Sequence, residues 1–242
     1  MSKLTKSYSM GIETSLKHIL REYAEALLYA LILALFFRTF IISAYRIPSF
    51  VMAPTLIPGD FIFAYKLPFG VSVPFIGEGK SWGGRSPHRG ELVIFECPHS
   101  LDTSCMRRVI GQPGDRVEIR GKRLILNGKK AQYRAVERSP LLETLDKPSV
   151  FVEESIGGKK YQILIGLNSE TENFGPMVVP PGHLLVLSDN RDQGEDSRFW
   201  GPIPVKSLEA TAGFIWLSLG WEKGKSDWLP EIRWTRVFKT VD

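Results

Sequence analysis

The run Ala26–Phe37, ALLYALILALFF, contains no charged residue, and after Arg38 and Thr39 the apolar character resumes through FIISAY to Tyr45. These 20 residues match the roughly 20 predominantly apolar ones that a helix needs to cross the hydrocarbon layer. Arg38 lies in the second half of the run, where a long side chain can snorkel toward the headgroups while its stem stays in lipid. The expected element is an uncleaved anchor over residues 23–45. A buried helix of a soluble protein is one alternative. A signal peptide cut after ISA, before Tyr45, is the other. Lys3, Lys6, Lys17 and Arg21 precede the run, against Glu13 and Glu22. By the positive-inside rule this makes residues 1–22 a cytoplasmic tail and sends the body of the chain to the other side.

That body needs its own core, and 242 residues suffice for one large or two small domains. With 43% hydrophobic residues, 22 Gly and 16 Pro, the composition is that of a folded, turn-rich β protein. The formal charge of +5 comes from basic residues scattered among acids, so a mildly basic, solvated surface is expected. It is a surface for membrane lipid rather than for nucleic acid.

Short β segments separated by turns fill the sequence after the anchor. GDFIFAYKL, GELVIFEC, CMRRVIG, DRVEIRGKRLILNGK, KYQILIG, HLLVLSD and GFIWLSLGW read as strands, and Asn127-Gly128 within LNGK marks a tight hairpin. The polar, weakly periodic region Ala131–Glu172 reads as an inserted lobe or as long loops. Cys97 and Cys105 stand at facing ends of two strands joined by PHSLDTS, a spacing that permits a cross-strand disulfide outside the cytoplasm; two reduced thiols are the alternative. Two Cys and four scattered His have no paired ligand spacing, so no metal is expected.

Four stretches in order, RIPSFVMAPTLIPGD from Arg46, RGELVIFECP from Arg89, RRVIGQPGD from Arg107 and SDNRDQGEDSRFWG from Ser188, resemble the type I signal peptidase family from about Ala24 to Trp221. The resemblance implies a mainly β, antiparallel fold: a catalytic-type core over 46–115 and 181–242, with a second β lobe inserted at 116–180. It implies a single-pass protein of a bacterial inner or plasma membrane whose main domain faces the extracytoplasmic side. The family's activity is removal of signal peptides by a serine nucleophile and a neutral lysine base, with no cofactor. A serine hydroxyl attacks only if a base takes its proton, and a lysine serves only when burial lowers its pKa to about 7 or 8.

This sequence departs from that chemistry at each reacting position. The nucleophile position is Val51, which has no nucleophilic atom. The base position is Arg107, whose guanidinium holds its proton near neutral pH. The serine that orients the lysine corresponds to Gly194. Ser49, the family's oxyanion-hole donor, shares a strand face with Val51 and could attack only if some other base existed. Asp189, Arg191, Asp196 and Arg198 are expected to hold their loop by pairing with one another and with backbone groups, while Trp200 and Trp216 pack as core. The expected function is a catalytically silent homologue that binds signal peptides or a partner such as an active paralogue; the alternative is cleavage by an altered mechanism. Val51→Ser with Arg107→Lys is expected to restore some activity, and Gly194→Ser to add to it.

Overall fold

The computed structural model describes residues 2–72, 81–98, 100–137, 148–167, 173–220 and 230–241; Trp221 lies outside them. Met1–Ile42 and Ser43–Asp242 are two separate units. The first is almost entirely α1, Ser2–Phe40. Its stretch His18–Phe40 is 23 residues long with a mean hydropathy of 1.5, long and apolar enough to cross a membrane.

The helix does not continue to Tyr45, which corrects the upper bound of the expected anchor. Strand β1, Ile42–Arg46, follows directly, next to β2, Asp60–Tyr65. The β-branched pair Ile41-Ile42 favours extended backbone, and β2 offers the hydrogen-bonding partner that lipid cannot. Arg38 therefore falls in the last helical turn, where a cation also suits the negative end of the helix dipole.

The remaining strands, in chain order, are β3 (Val71–Ser72), β4 (Ser81–Trp82), β5 (Leu92–Cys97), β6 (Ser100–Gly111), β7 (Arg116–Arg120), β8 (Arg123–Leu126), β9 (Lys129–Lys130) and β10 (Gln132–Ala135). Then come β11 (Ser149–Ile156), β12 (Lys159–Gly166), β13 (Phe174–Val178), β14 (His183–Leu187), the short helix α2 (Ser197–Trp200), β15 (Ile203–Pro204), β16 (Leu208–Gly220) and β17 (Glu231–Ile232). The large sheet runs β1-β2-β16-β5-β6-β14-β15, with β17 also on β16. All its registered pairs are antiparallel. Asn127 and Gly128, both at positive φ, turn β8 into β9 as the Asn-Gly pair requires.

Strand period 2 decides where the core lies. On β5, Leu92 and Ile94 join a cluster with Ile62, Met106 and Ile215, whereas Val93 and Phe95 join another with Val109, Leu184 and Val186. Both faces of the sheet are thus buried around the strand that pairs with Arg107. The segment after Asp115 builds two sheets of its own, β13-β7-β8-β9 and β10-β11-β12. Their apolar faces nevertheless share one cluster with Ile110, Leu185 and Leu187 of the large sheet. The polar region beyond Ala131 contains the hairpin β11–β12 in eight paired positions, so it is more regular than its sequence reads.

Candidate functional site

Ser49 and Val51 lie on the connection between β1 and β2. Ser49 is extended, at φ −140° and ψ 167°, and Phe50–Met52 forms one turn of 3-10 helix. The Val51 side chain packs against the core cluster that contains Met52, Ile94 and Met106. Its carbonyl accepts the Asn190 backbone N–H at 3.0 Å, and Asn190 Nδ2 donates to the Phe50 carbonyl at 3.2 Å. The SDNRD loop is thereby stitched to the turn that carries the nucleophile position.

Arg107 and Arg108 are neighbours on β6 and point to opposite faces. Arg108 is buried and makes two 2.7 Å bonds to the Asp189 carboxylate. Its Nη1 donates to the Gly90 carbonyl, and its guanidinium lies 4.5 Å from the Tyr161 ring centroid. Thr55 donates its hydroxyl to Asp189 at 2.5 Å, which occupies the one proton it could offer. Arg107 turns the other way: Nε and Nη2 donate to the Glu195 carbonyl at 2.8 and 2.6 Å, and Nη1 donates to the Met106 carbonyl at 2.7 Å. Burial pushes its pKa down, and the charges of Asp196 and Glu195 push it back up. A guanidinium remains protonated near neutral pH in either case.

The loop charges bond partly to one another and to backbone groups, as Arg191 Nε does to the Ser188 carbonyl and Arg198 Nη2 to the Arg191 carbonyl, and partly to partners outside the loop. Asp196 does pair with Arg198, through Nε at 2.8 Å and Nη2 at 2.9 Å, and it also accepts the backbone N–H of Ser188 at 2.9 Å. Asp189 instead pairs with Arg108, as described above. Arg191 pairs with Glu154 on β11, at 3.1 and 2.5 Å. Glu154 also accepts the hydroxyls of Tyr133 and Tyr161, at 2.7 and 2.6 Å. Burial pushes the Glu154 carboxyl up, but the Arg191 charge and these hydrogen bonds outweigh it and hold the pKa below the ordinary range. Sequence proximity favours pairing within the loop; the fold supplies closer partners from β6 and β11. Arg108 and Glu154 were therefore not legible as parts of this site.

Ser188 was also missed. Its hydroxyl is buried without a hydrogen-bond partner among the described residues. A Cβ on Gly194 would collide with that hydroxyl and stand 2.7 Å from Val51 Cγ1. A serine at 194 therefore does not fit while Ser188 and Val51 stay where they are, so the gain expected from adding Gly194→Ser to Val51→Ser/Arg107→Lys depends on Ser188 making room.

Beside Val51 lies a cavity of about 220 Å³, lined in part by Tyr45, Arg46, Ser49, Val51, Cys105 and Arg107. Cys97 and Cys105 are joined by a disulfide across β5 and β6, at the register shift between Glu96 and Cys97. The linking segment is mostly strand rather than loop. The Tyr45 phenol is pushed up to about 12 by burial and by Glu209, to which its hydroxyl donates at 3.2 Å. The lining thus holds two cations, a neutral phenol and an oxidised cysteine. None of these accepts a proton at neutral pH.

The family described as signal peptidase, peptidase S26, matches residues 20–217. Signal peptidase I of Pseudomonas fluorescens is 30% identical over 228 residues, covering 88% of this chain and 77% of that protein. Signal peptidase I of Pseudomonas aeruginosa is 30% identical over 224 residues, with the same coverage of 88% and 77%. A crystal structure of a signal peptidase I from Enterococcus faecalis V583 matches with a TM-score of 0.33 at 24% identity, over 52% of this chain and 97% of that one; the fold described above does not rest on it. By a match that spans most of its length, the chain belongs to the signal peptidase S26 family.

Proposed function

We propose that the protein is a catalytically silent member of this family that binds extended peptides, signal peptides above all, beside Ser49. It is held in a bacterial inner or plasma membrane by α1, with its β body on the extracytoplasmic side. The observation that carries this reading is the cavity lining. Val51 offers no nucleophile, and Ser49 has no proton acceptor among the residues that line the cavity with it. Loss of a triad nucleophile costs up to about a million-fold in turnover, and a similar scale is expected for a dyad. The peptide reading rests on Ser49 being extended and exposed next to β1, so that a strand can be added there by main-chain hydrogen bonds.

Cleavage by an altered mechanism remains the rival. The two are separated by incubating the full-length protein in detergent with a signal-peptide substrate carrying Ala at −3 and −1, then measuring binding and product together. Binding without product is expected. Product that disappears in Ser49→Ala would establish the rival.

A further inference from the structure

Guanidinium groups around the SDNRD loop follow a rule that Arg107 breaks. Arg108 has Asp189, Arg191 has Glu154 and Arg198 has Asp196 as carboxylate partners. Among the described residues no carboxylate stands within ion-pair distance of Arg107, whose three bonds all go to backbone carbonyls. Asp196, whose charge acts on it, is taken up by Arg198 and by the Ser188 N–H. The guanidinium retains N–H donors beyond those three bonds, and it borders the cavity next to Val51.

The cavity is otherwise suited to a small anion with an apolar body. Arg46 is its second cation, and no acid is among the described residues that line it. Ile47, Val51 and Met52 supply the apolar surface. The acids that act on the lining are Asp196 and Glu195, whose charges reach Arg107, and Glu209, which accepts hydrogen bonds from Tyr45 and Ser104. None of them forms an ion pair with Arg107, so an anion is favoured at its remaining N–H donors and disfavoured beside Tyr45. A volume of about 220 Å³ equals about seven waters at about 30 Å³ each, enough for a small terminal residue and its carboxylate.

We propose that this cavity binds the C-terminal carboxylate of a peptide that ends in a small apolar residue, with Arg107 as the cation that recognises it. This rests on the silent, peptide-binding reading above. Where the base position holds a neutral amine, a cleaved peptide end has to leave; where it holds a permanent cation, the same end is retained. The protein then discriminates finished fragments, which carry the carboxylate, from uncleaved chains, which present a neutral amide at the same place. Charge-assisted hydrogen bonds are about twice as strong as neutral ones, and a guanidinium fork matches a carboxylate in shape.

The test uses the full-length protein in detergent micelles and a labelled peptide ending in Ala-Ser-Ala, prepared as the free acid and as the C-terminal amide. Fluorescence anisotropy should give a Kd about tenfold or more lower for the acid, with the preference shrinking in high salt. Arg107→Gln, which keeps an amide to donate to the Glu195 carbonyl, should bring the two peptides to within about twofold of each other. Arg107→Lys should keep a preference for the acid, and it serves as the readout if the glutamine variant does not fold. Equal binding of acid and amide by the unaltered protein overturns this inference and leaves a silent peptide binder standing. Failure of both peptides to bind overturns the peptide-binding reading itself.

Discussion

Ser188 and Gly194 share one space: a Cβ added to Gly194 would run into the Ser188 hydroxyl and lie 2.8 Å from Ser188 Cβ. The chain has its hydroxyl on the strand side of this space and no side chain on the loop side. Restoring a family-like arrangement therefore takes an exchange rather than an addition. In a Val51→Ser/Arg107→Lys background, Gly194→Ser alone should lower stability by about 1–3 kcal/mol through overpacking and leave the cleavage rate unimproved. Adding Ser188→Gly should relieve the crowding and raise the rate. Thermal unfolding and single-turnover cleavage of the three variants check this. A triple variant faster than the quadruple one would contradict it.

Val51→Ser alone should stay inactive, because Arg107 keeps its proton and its place on the Glu195 carbonyl. Activity in this single variant equal to that of Val51→Ser/Arg107→Lys would reveal a base outside the cavity lining.

Acid should loosen the loop through Glu154. Its folded pKa is held below the unfolded value of 4.5, so its stabilising contribution is present above that pH and is lost as pH falls through the folded value. Glu154→Gln should cost about 3–5 kcal/mol at pH 7 by leaving Arg191 buried without its anion, and should flatten the loss of stability below about pH 4. Urea unfolding at pH 7 and pH 3.5 measures both. An unchanged acid response in the variant would place the sensitive carboxylate elsewhere.

Anchoring has a structural consequence as well. A cut before Tyr45 would sever β1 and remove the edge strand beside β2. Carbonate extraction should therefore leave the intact protein in the membrane pellet. A mature soluble form beginning near Tyr45 would show a signal peptide instead.

What the sequence shows of this molecule depends on the range of the interaction. The Asn127-Gly128 hairpin and the strands of the large sheet are local patterns and are readable residue by residue. Strand β1 is hidden because Ile42, following Ile41, extends an apolar run, and only pairing with β2 separates lipid-facing from sheet-forming residues. Strand β11 of the hairpin with β12 is hidden because Glu154 interrupts the apolar alternation. That charge makes sense only once Arg191, Tyr133 and Tyr161 converge on it. In the same way Val51, Arg107 and Gly194 stand out inside long motifs, while Ser188 reads as an ordinary strand end until folding brings it against Gly194. Arg107 and Arg108 are adjacent and identical in type, and only the fold separates them: one bonds to the Glu195 carbonyl beside the cavity, the other to the buried Asp189.

The proposed silence means that no group in the Val51–Arg107 cavity carries out the reaction. Prolonged incubation of the purified full-length protein with a signal-peptide substrate, with both fragments quantified by mass spectrometry, measures this. The unaltered protein should give no product above the rate of the substrate alone, while Val51→Ser/Arg107→Lys with Ser188→Gly and Gly194→Ser gives a measurable amount. Site-specific product from the unaltered protein, reduced by Ser49→Ala, would contradict the claim.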